Sequence, residues 1–346
     1  MLLKNTERGL FCEAGNFYID PWRPVDLAVI THGHSDHARS GSNNYLTEKS
    51  GVSILQQRLG REAKIEGLPY GETIFRDGVK ISLHPAGHIL GSAQVRIEQG
   101  GEICVVSGDY KIENDGTCEA FEPIRCHTFV TESTFALPIY HWRPQAEIFR
   151  EINDWWRENQ NHERTSVLFC YALGKAQRLL SGLDPNIGPI FLHGAADRFL
   201  PAYEQGGIKF PKTERADSEK IKATRGKSFV LAPPSTDNSM WLRKFGHIST
   251  AFASGWMQIR GPRRRRSLDR GFVLSDHADW DGLLETINAT GAETVWATHG
   301  YTAPLVQWLR ETGKNAEAIQ THFKGETEDE EETQNSTKPV IAGSLE

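Results

Sequence analysis

The sequence contains few of the features that mark secreted or membrane proteins. It has no N-terminal basic segment leading into an apolar stretch and no apolar run near 18 residues, which argues against a signal peptide and a membrane span. Its five cysteines show no paired spacing, and an odd count suits a reducing compartment. A formal charge of −6 argues against a globally basic nucleic-acid binder. These absences predict a cytoplasmic protein without membrane contact.

Length and composition are those of a globular protein with room for more than one domain. The chain has 346 residues, of which 38% are hydrophobic and 24% charged, enough for a large core. Acidic residues crowd between Glu326 and Glu332, among Thr, Gln, Asn and Ser. We expect residues 324–346 to form an acidic disordered tail.

The densest group of metal-ligand residues is His32, His34, Asp36 and His37. The apolar run 27–30 before it predicts a buried strand, and strand alternation would direct His32, His34 and Asp36 to one side. A helical turn near Asp36 would bring His37 beside it. This pattern predicts two metals, one bound by His32 and His34 and the other by Asp36 and His37. Imidazole and carboxylate ligands favour Zn²⁺, with Mn²⁺ or Fe as alternatives. The competing interpretation is a His-rich surface loop.

Three further residues of ligand type each follow a predicted strand. They are His88, Asp109 and His299. A carboxylate at the position of Asp109 can offer one oxygen to each of two metals, which such sites hold about 3.5–4 Å apart. Any one of these residues alone would more often be a core histidine or a turn aspartate. Their repetition at strand ends predicts a two-metal site.

These motifs resemble the metallo-β-lactamase superfamily, whose signature is an H-x-H-x-D-H cluster followed by a later His, a bridging Asp and a final His. The resemblance runs from about Phe17 to His322 and implies an αββα sandwich. It implies these ligands: His32, His34 and His88 for the first metal, Asp36, His37 and His299 for the second, and Asp109 between them. Asp20 matches the family's first acidic motif, which is usually an outer partner of the ligands.

Residues 141–270 contain no ligand candidates and alternate helix and strand patterns. This stretch resembles the β-CASP domain that nucleic-acid-processing members of the superfamily carry, through Glu132, His277 and the segment Tyr171–Gln177. The order of motifs and the run Arg263–Arg266 resemble the bacterial ligase-associated DNA exonucleases, which are often labelled messenger-RNA 3′-end processing factors. The predicted fold is α/β (α+β), with these parts: metallo-β-lactamase residues 1–140 and 271–323, an inserted β-CASP α/β domain at 141–270, and the tail at 324–346.

The chemistry of such a site is phosphodiester hydrolysis by a two-metal-activated hydroxide. His277 is the predicted proton donor to the leaving oxygen, with Glu132 hydrogen-bonded to its other ring nitrogen. The predicted catalytic residues are Asp36, Asp109, His277 and Glu132. His277 could instead be a further metal ligand or a structural residue.

Substrate binding is predicted through phosphate contacts. Lys175 stands where a strand turns into a helix, whose N-terminus favours anions. Ser133 could add a hydroxyl donor, and Arg263 and Arg264 could follow the strand backbone. The alternatives are an ordinary strand-turn-helix and a solvated charged face.

The predicted function is a DNA exonuclease in DNA repair, and the alternative is an RNA-processing β-CASP ribonuclease of the mRNA 3′-end type. His299 favours the alternative, because β-CASP proteins of interstrand-crosslink repair usually have Val there and RNA-processing members have His. A non-catalytic scaffold subunit ranks last, since such relatives lose ligands that are all present here. The resemblance implies nucleic acid as partner, DNA before RNA, and association with a DNA ligase or helicase.

Overall fold

A computed structural model describes residues 2–214, 216, 218–259 and 268–323. The predicted acidic tail and the run Arg263–Arg266 lie outside these residues. No helix among the described residues is long and apolar enough to cross a membrane.

The first sheet contains six strands from the N-terminal part of the chain. They are β1 (Lys4–Thr6), β2 (Gly9–Cys12), β3 (Phe17–Ile19), β4 (Leu27–Val29), β5 (Asn44–Glu48) and β6 (Ile65–Leu68), in that spatial order. Strands β3 to β6 run parallel. Helix α1 (Val52–Leu59) covers the outer face, where Leu55 packs with Ala28 and Ile30.

The second sheet contains seven strands drawn from two separate parts of the chain. They are β7 (Thr73–Arg76), β8 (Val79–Pro85), β9 (Ala93–Gln99), β10 (Glu102–Val106), β11 (Thr128–Ser133), β18 (Thr294–Gly300) and β19 (Asn315–Ala318). The spatial order is β19-β18-β11-β10-β9-β8-β7, with β10, β11, β18 and β19 parallel. Helices α8 (Trp280–Thr290) and α9 (Thr302–Glu311) cover its outer face through Leu283 and Leu305.

The two sheets pack face to face on one apolar core. Val29 and Leu46 of the first sheet share this core with Val95, Val106 and Trp296 of the second. With a helix layer on each outside, the arrangement is helix, sheet, sheet, helix. The αββα sandwich predicted from the sequence is confirmed.

A third sheet is formed by residues between 165 and 272. Its strands are β12 (Thr165–Phe169), β13 (Ile190–Leu192), β14 (Thr213–Glu214), β15 (Phe229–Ala232), β16 (Ile248–Ala253) and β17 (Arg270–Phe272), in the order β14-β13-β15-β12-β16-β17. All neighbouring pairs are parallel. Residues of β12, β13 and β15 are buried throughout, as strands covered on both faces must be.

Helices cover both faces of the third sheet. They are α2 (Gln145–Asn161), α3 (Lys175–Ser181), α4 (Gly194–Asp197), α5 (Leu200–Gln205), α6 (Ser218–Ala223) and α7 (Met240–Arg243), with 3-10 helices at Pro234–Thr236 and Gly255–Gln258. Leu173 and Tyr203 from this part pack against Ile54 and Ile89 of the sandwich. The third sheet therefore sits beside the sandwich edge where strands β4, β10 and β18 end. The domain limits given above remain a prediction.

Candidate metal centre

Three imidazoles converge beyond the end of β4. His34 Nδ1 lies 3.2 Å from His32 Nε2 and 3.1 Å from His88 Nε2. Asp109 Oδ2 lies 3.5 Å from His32 Nε2 and 3.8 Å from His88 Nε2. Nitrogens at two corners of a zinc tetrahedron, with bonds of about 2.0–2.1 Å, are roughly 3.3 Å apart. The spacing of this first ligand cluster (His32, His34, His88, Asp109) fits one divalent ion.

A second ligand cluster (Asp36, His37, Asp109, His299) lies on the other side of Asp109. His299 Nε2 is 3.1 Å from Asp109 Oδ1, while His37 Nε2 is 3.6 Å from Asp109 Oδ2 and 3.8 Å from Asp36 Oδ2. Within the described part of the chain, three buried atoms of this cluster form no hydrogen bond: His37 Nε2, Asp109 Oδ1 and His299 Nε2. The last two lie 3.1 Å apart but do not have the geometry of a hydrogen bond. Such atoms are costly unless something satisfies them, and a cation between them would do so.

Carbonyl groups determine which nitrogen of two imidazoles faces the first ligand cluster. His34 Nε2 donates to the carbonyl oxygen of Leu173 at 3.2 Å, and His88 Nδ1 donates to that of Asp276 at 2.8 Å. A carbonyl can only accept, so His34 Nδ1 and His88 Nε2 carry lone pairs. Two lone pairs on nitrogens 3.1 Å apart repel each other. A cation coordinated by both nitrogens would remove this repulsion.

Asp20 fixes the orientation of His37 from behind. Its Oδ2 accepts from His37 Nδ1 at 2.7 Å and from Thr31 Oγ1 at 2.5 Å, while Oδ1 accepts from the Thr31 amide at 2.8 Å. Nε2 of His37 is therefore the nitrogen that faces Asp109. Thr298 Oγ1 lies 2.9 Å from Nδ1 of His299 in a similar position.

The electrostatics of the centre favour bound positive charge. Burial lowers the pKa of His37, but the carboxylates of Asp109, Asp36 and Asp20 outweigh it and raise the pKa to about 10. Burial raises the pKa of Asp109, yet the neighbouring His37 and His299 hold it well below its usual range. Burial holds the pKa of His32 well below its ordinary value, so its ring stays neutral. The ionised Asp109 and the neutral His32 are in the states that a divalent ion needs, whereas His37 would release a proton when the ion binds.

His277 and Glu132 form a buried pair beside the first ligand cluster. His277 Nδ1 donates to Glu132 Oε2 at 2.8 Å, and Glu132 Oε1 accepts from the Tyr110 amide at 2.8 Å. The His277 ring centroid is 4.8 Å from that of His88. Because Glu132 engages Nδ1, the remaining nitrogen Nε2 is the one that can exchange a proton with a substrate.

Phe323 packs on the second ligand cluster, a contact that the sequence did not indicate. Its ring stacks on His37 with centroids 4.3 Å apart and planes at 8°, and it lies edge-on to His299 at 5.6 Å. Trp22 lies edge-on to Phe323, with ring centroids 5.9 Å apart. An apolar wall of this kind keeps water from the ligand imidazoles.

Two residues suggested by motifs for phosphate binding have structural contacts instead. The Lys175 side chain is 0% exposed, and its ammonium lies 3.3 Å from Asp276 Oδ2. Ser133 is buried, and its hydroxyl donates to the Thr298 carbonyl at 2.6 Å, which ties β11 to β18. Neither side chain is exposed to solvent. Arg263 and Arg264 lie outside the described residues.

Asp276 is the main residue of this site that the sequence motifs did not predict. It is buried, precedes His277 and contacts His88, Lys175 and Arg178. The signal was present, since the tetrad Ser-Asp-His-Ala occurs at residues 35–38 and again at 275–278.

The chain is similar in sequence to several known proteins. No family model matches the chain. The "Probable DNA ligase" of Opitutus terrae is 32% identical over 313 residues, which is 90% of this chain and 30% of that protein. "Endoribonuclease YSH1" of Saccharomyces cerevisiae is 29% identical over 42% of this chain and 19% of its own length. "Cleavage and polyadenylation specificity factor subunit 3" of Dictyostelium discoideum is 28% identical over 46% and 25%.

The chain spans less than a third of the length of these curated relatives. A crystal structure of a protein of unknown function from Enterococcus faecalis V583 matches with a TM-score of 0.59 at 14% identity, over 85% of this chain and 78% of that one. That likeness shows the fold alone.

Fold and ligand clusters define a metallo-β-lactamase-type protein with a metal-binding His/Asp centre. Within that superfamily, the chain belongs to the β-CASP group, as its relatives and the resemblance stated above agree.

Proposed function

We propose that this protein is a metal-dependent nuclease that hydrolyses DNA phosphodiester bonds, as an exonuclease in DNA repair. The observation that carries the proposal is the shared Asp109, which lies between two ligand clusters with the His277–Glu132 pair at their side. Two metals about 3.5–4 Å apart are typical of enzymes that displace an oxygen at phosphorus.

The ligands for the two ions are the two clusters defined above, with Zn²⁺ favoured by their imidazole-rich composition. When bound, the ions supply an activated water and neutralise charge that develops on the phosphate. Asp109 contacts both clusters, since its Oδ1 lies 3.1 Å from His299 Nε2 and its Oδ2 lies 3.5 Å from His32 Nε2 and 3.6 Å from His37 Nε2. Asp36 and His37 complete the second cluster. Asp20 holds His37 so that its lone pair faces inward.

His277 is the proposed proton donor to the leaving oxygen. Glu132 fixes its tautomer through Nδ1 and stabilises the imidazolium form. The amide of Tyr110 donates a hydrogen bond to Glu132 in turn, which keeps the His277–Glu132 pair in one orientation. Arg263 and Arg264 are the proposed phosphate contacts along the strand, on the grounds of their charge.

DNA is proposed ahead of RNA because the match to a protein named "Probable DNA ligase" covers 90% of the chain. The matches quoted above to an endoribonuclease and to a cleavage and polyadenylation specificity factor subunit each cover less than half of it. Association with a DNA ligase is proposed on the same ground. RNA processing is the second candidate, favoured by the names of those shorter matches and by His299.

The test is digestion of end-labelled single- and double-stranded DNA and matched RNA by purified protein with added zinc or manganese. Asp109→Ala serves as the blank. Stepwise release of nucleotides from DNA is the expected result and would give the polarity. Internal cuts in RNA with DNA intact would contradict the proposal and support the second candidate.

A further inference from the structure

We propose that residues Leu173–Arg178, at the start of α3, form a positioning element that orients two of the three imidazoles in the first ligand cluster. The inference rests on the ligand assignment in the proposed function. It gives the third-sheet part of the chain a role in assembling the metal centre as well as in covering it.

The first contact is direct. The Leu173 carbonyl accepts from His34 Nε2 at 3.2 Å, which leaves Nδ1 as the ligand atom. Gly174 makes this approach possible, with φ at +85° and no room for a side chain: a Cβ there would lie 2.3 Å from Ile89 Cγ2. Any other residue at position 174 would clash with Ile89 and displace the turn, so glycine keeps the Leu173 carbonyl in this place.

The second contact passes through Asp276. Its carbonyl accepts from His88 Nδ1 at 2.8 Å, so its backbone position sets the direction of His88. Its carboxylate is held by Arg178 Nη1 at 2.9 Å and Lys175 Nζ at 3.3 Å. Arg178 also donates to the Ser275 carbonyl. Two cations on one helix thus clamp the backbone that orients His88 and leads into His277.

Arg178 is itself anchored on both sides. It is 1% exposed, and Gln145 Oε1 at the start of α2 accepts from its Nη2 at 2.7 Å and from its Nε at 2.9 Å. Asp115 Oδ2 lies 3.1 Å from Arg178 Nε, so two carboxylates offset the buried cations. A buried charge with several fixed partners is rigid, since each partner would lose its compensation if the others moved.

The two imidazoles of the second ligand cluster, His37 and His299, have their outer partners elsewhere in the described part of the chain. These partners are Asp20 for His37 and Thr298 for His299, both in the sandwich. Loosening the start of α3 should therefore weaken one ion and leave the other. A purely structural role for α3 would weaken both together.

The test measures metal affinity without substrate. In a His299→Ala background, which removes a second-cluster ligand, Zn²⁺ affinity of the first cluster is determined by chelator competition and its geometry by the visible spectrum with Co²⁺. Gln145→Ala and Arg178→Lys should each lower first-cluster affinity by about 10–100-fold and change the Co²⁺ spectrum, the usual effect of losing an outer partner. Arg157→Lys is the control, because Arg157 pairs with Asp154 and Asp184 on the surface.

Unchanged affinity and spectrum in both variants would overturn the inference. To assess the second cluster, the same variants are made with His299 intact and His88→Ala, and equal losses at both clusters would also overturn it. Gln145 is only partly buried, so Gln145→Ala keeps the test valid if Arg178→Lys fails to fold. If the unmodified protein binds two ions but digests no nucleic acid, the proposed function fails while the positioning role stands.

Discussion

The substitution Asp20→Asn tests whether a single carboxylate determines the tautomer of His37. Asn has nearly the same shape and tolerates the positive φ of 43° at this position, so the backbone should hold. The amide oxygen can still accept from the Thr31 amide, which directs the NH₂ group at His37 Nδ1. Two donors then face each other, and His37 relieves the conflict by moving its proton to Nε2, the atom that faces Asp109.

A protonated Nε2 cannot bind a metal, so the second ligand cluster should lose affinity. Loss of an outer partner usually lowers metal affinity 10–100-fold, or roughly 1.4–2.8 kcal/mol. The assay is Zn²⁺ titration by chelator competition, with bound metal counted after dialysis. Asp26→Asn is the matched control, since Asp26 is exposed and contacts Asn43 and Asn44. Two tightly bound ions in Asp20→Asn would refute the tautomer argument.

Three further predictions concern the ions, the proton donor and the substrate. Asp109→Ala should abolish hydrolysis and reduce bound metal to one ion or none; two retained ions with normal turnover would refute its bridging role. His277→Ala should keep both ions while turnover falls by roughly 10²–10⁴, the usual share of a general acid, and metal loss in this variant would make His277 a ligand. Replacing Arg263–Arg266 by Gln should weaken substrate binding and flatten its dependence on salt concentration, and an unchanged salt slope would argue against phosphate contacts there.

The positions of the ligand residues could be predicted from the sequence because strand ends are local features. A run of apolar residues that stops at a His or Asp marks the edge of a sheet, and Asp109 and His299 lie at that edge as expected. The orientation of the first motif could not be predicted in this way. Strand β4 ends at Val29, and residues 35–37 form a turn with the Ala38 amide bonded to the His34 carbonyl. Turn geometry, rather than strand alternation, directs these side chains.

The role of Lys175 could not be predicted from the local sequence motif. A lysine at a strand-turn-helix junction has the local signature of a phosphate site, and nothing in the neighbouring sequence reveals that Asp276 approaches it. That partner is about a hundred residues further along the chain. Only the tertiary structure shows that Lys175 forms an ion pair with a carboxylate of the protein, where the local motif suggests a bound phosphate.

The discontinuous second sheet has a consequence for the order in which the protein assembles during synthesis. Ser133 at the end of β11 bonds to Thr298 of β18, 165 residues later in the chain. All four members of the first ligand cluster have been synthesised by residue 109, whereas the second cluster waits for His299. Closing so long a loop is slow unless the intervening segment folds first. The nascent chain therefore contains one set of ligands long before the other exists. His34 and His88 gain the carbonyls that orient them only after Leu173 and Asp276 have been synthesised, and the last strands to emerge complete the centre.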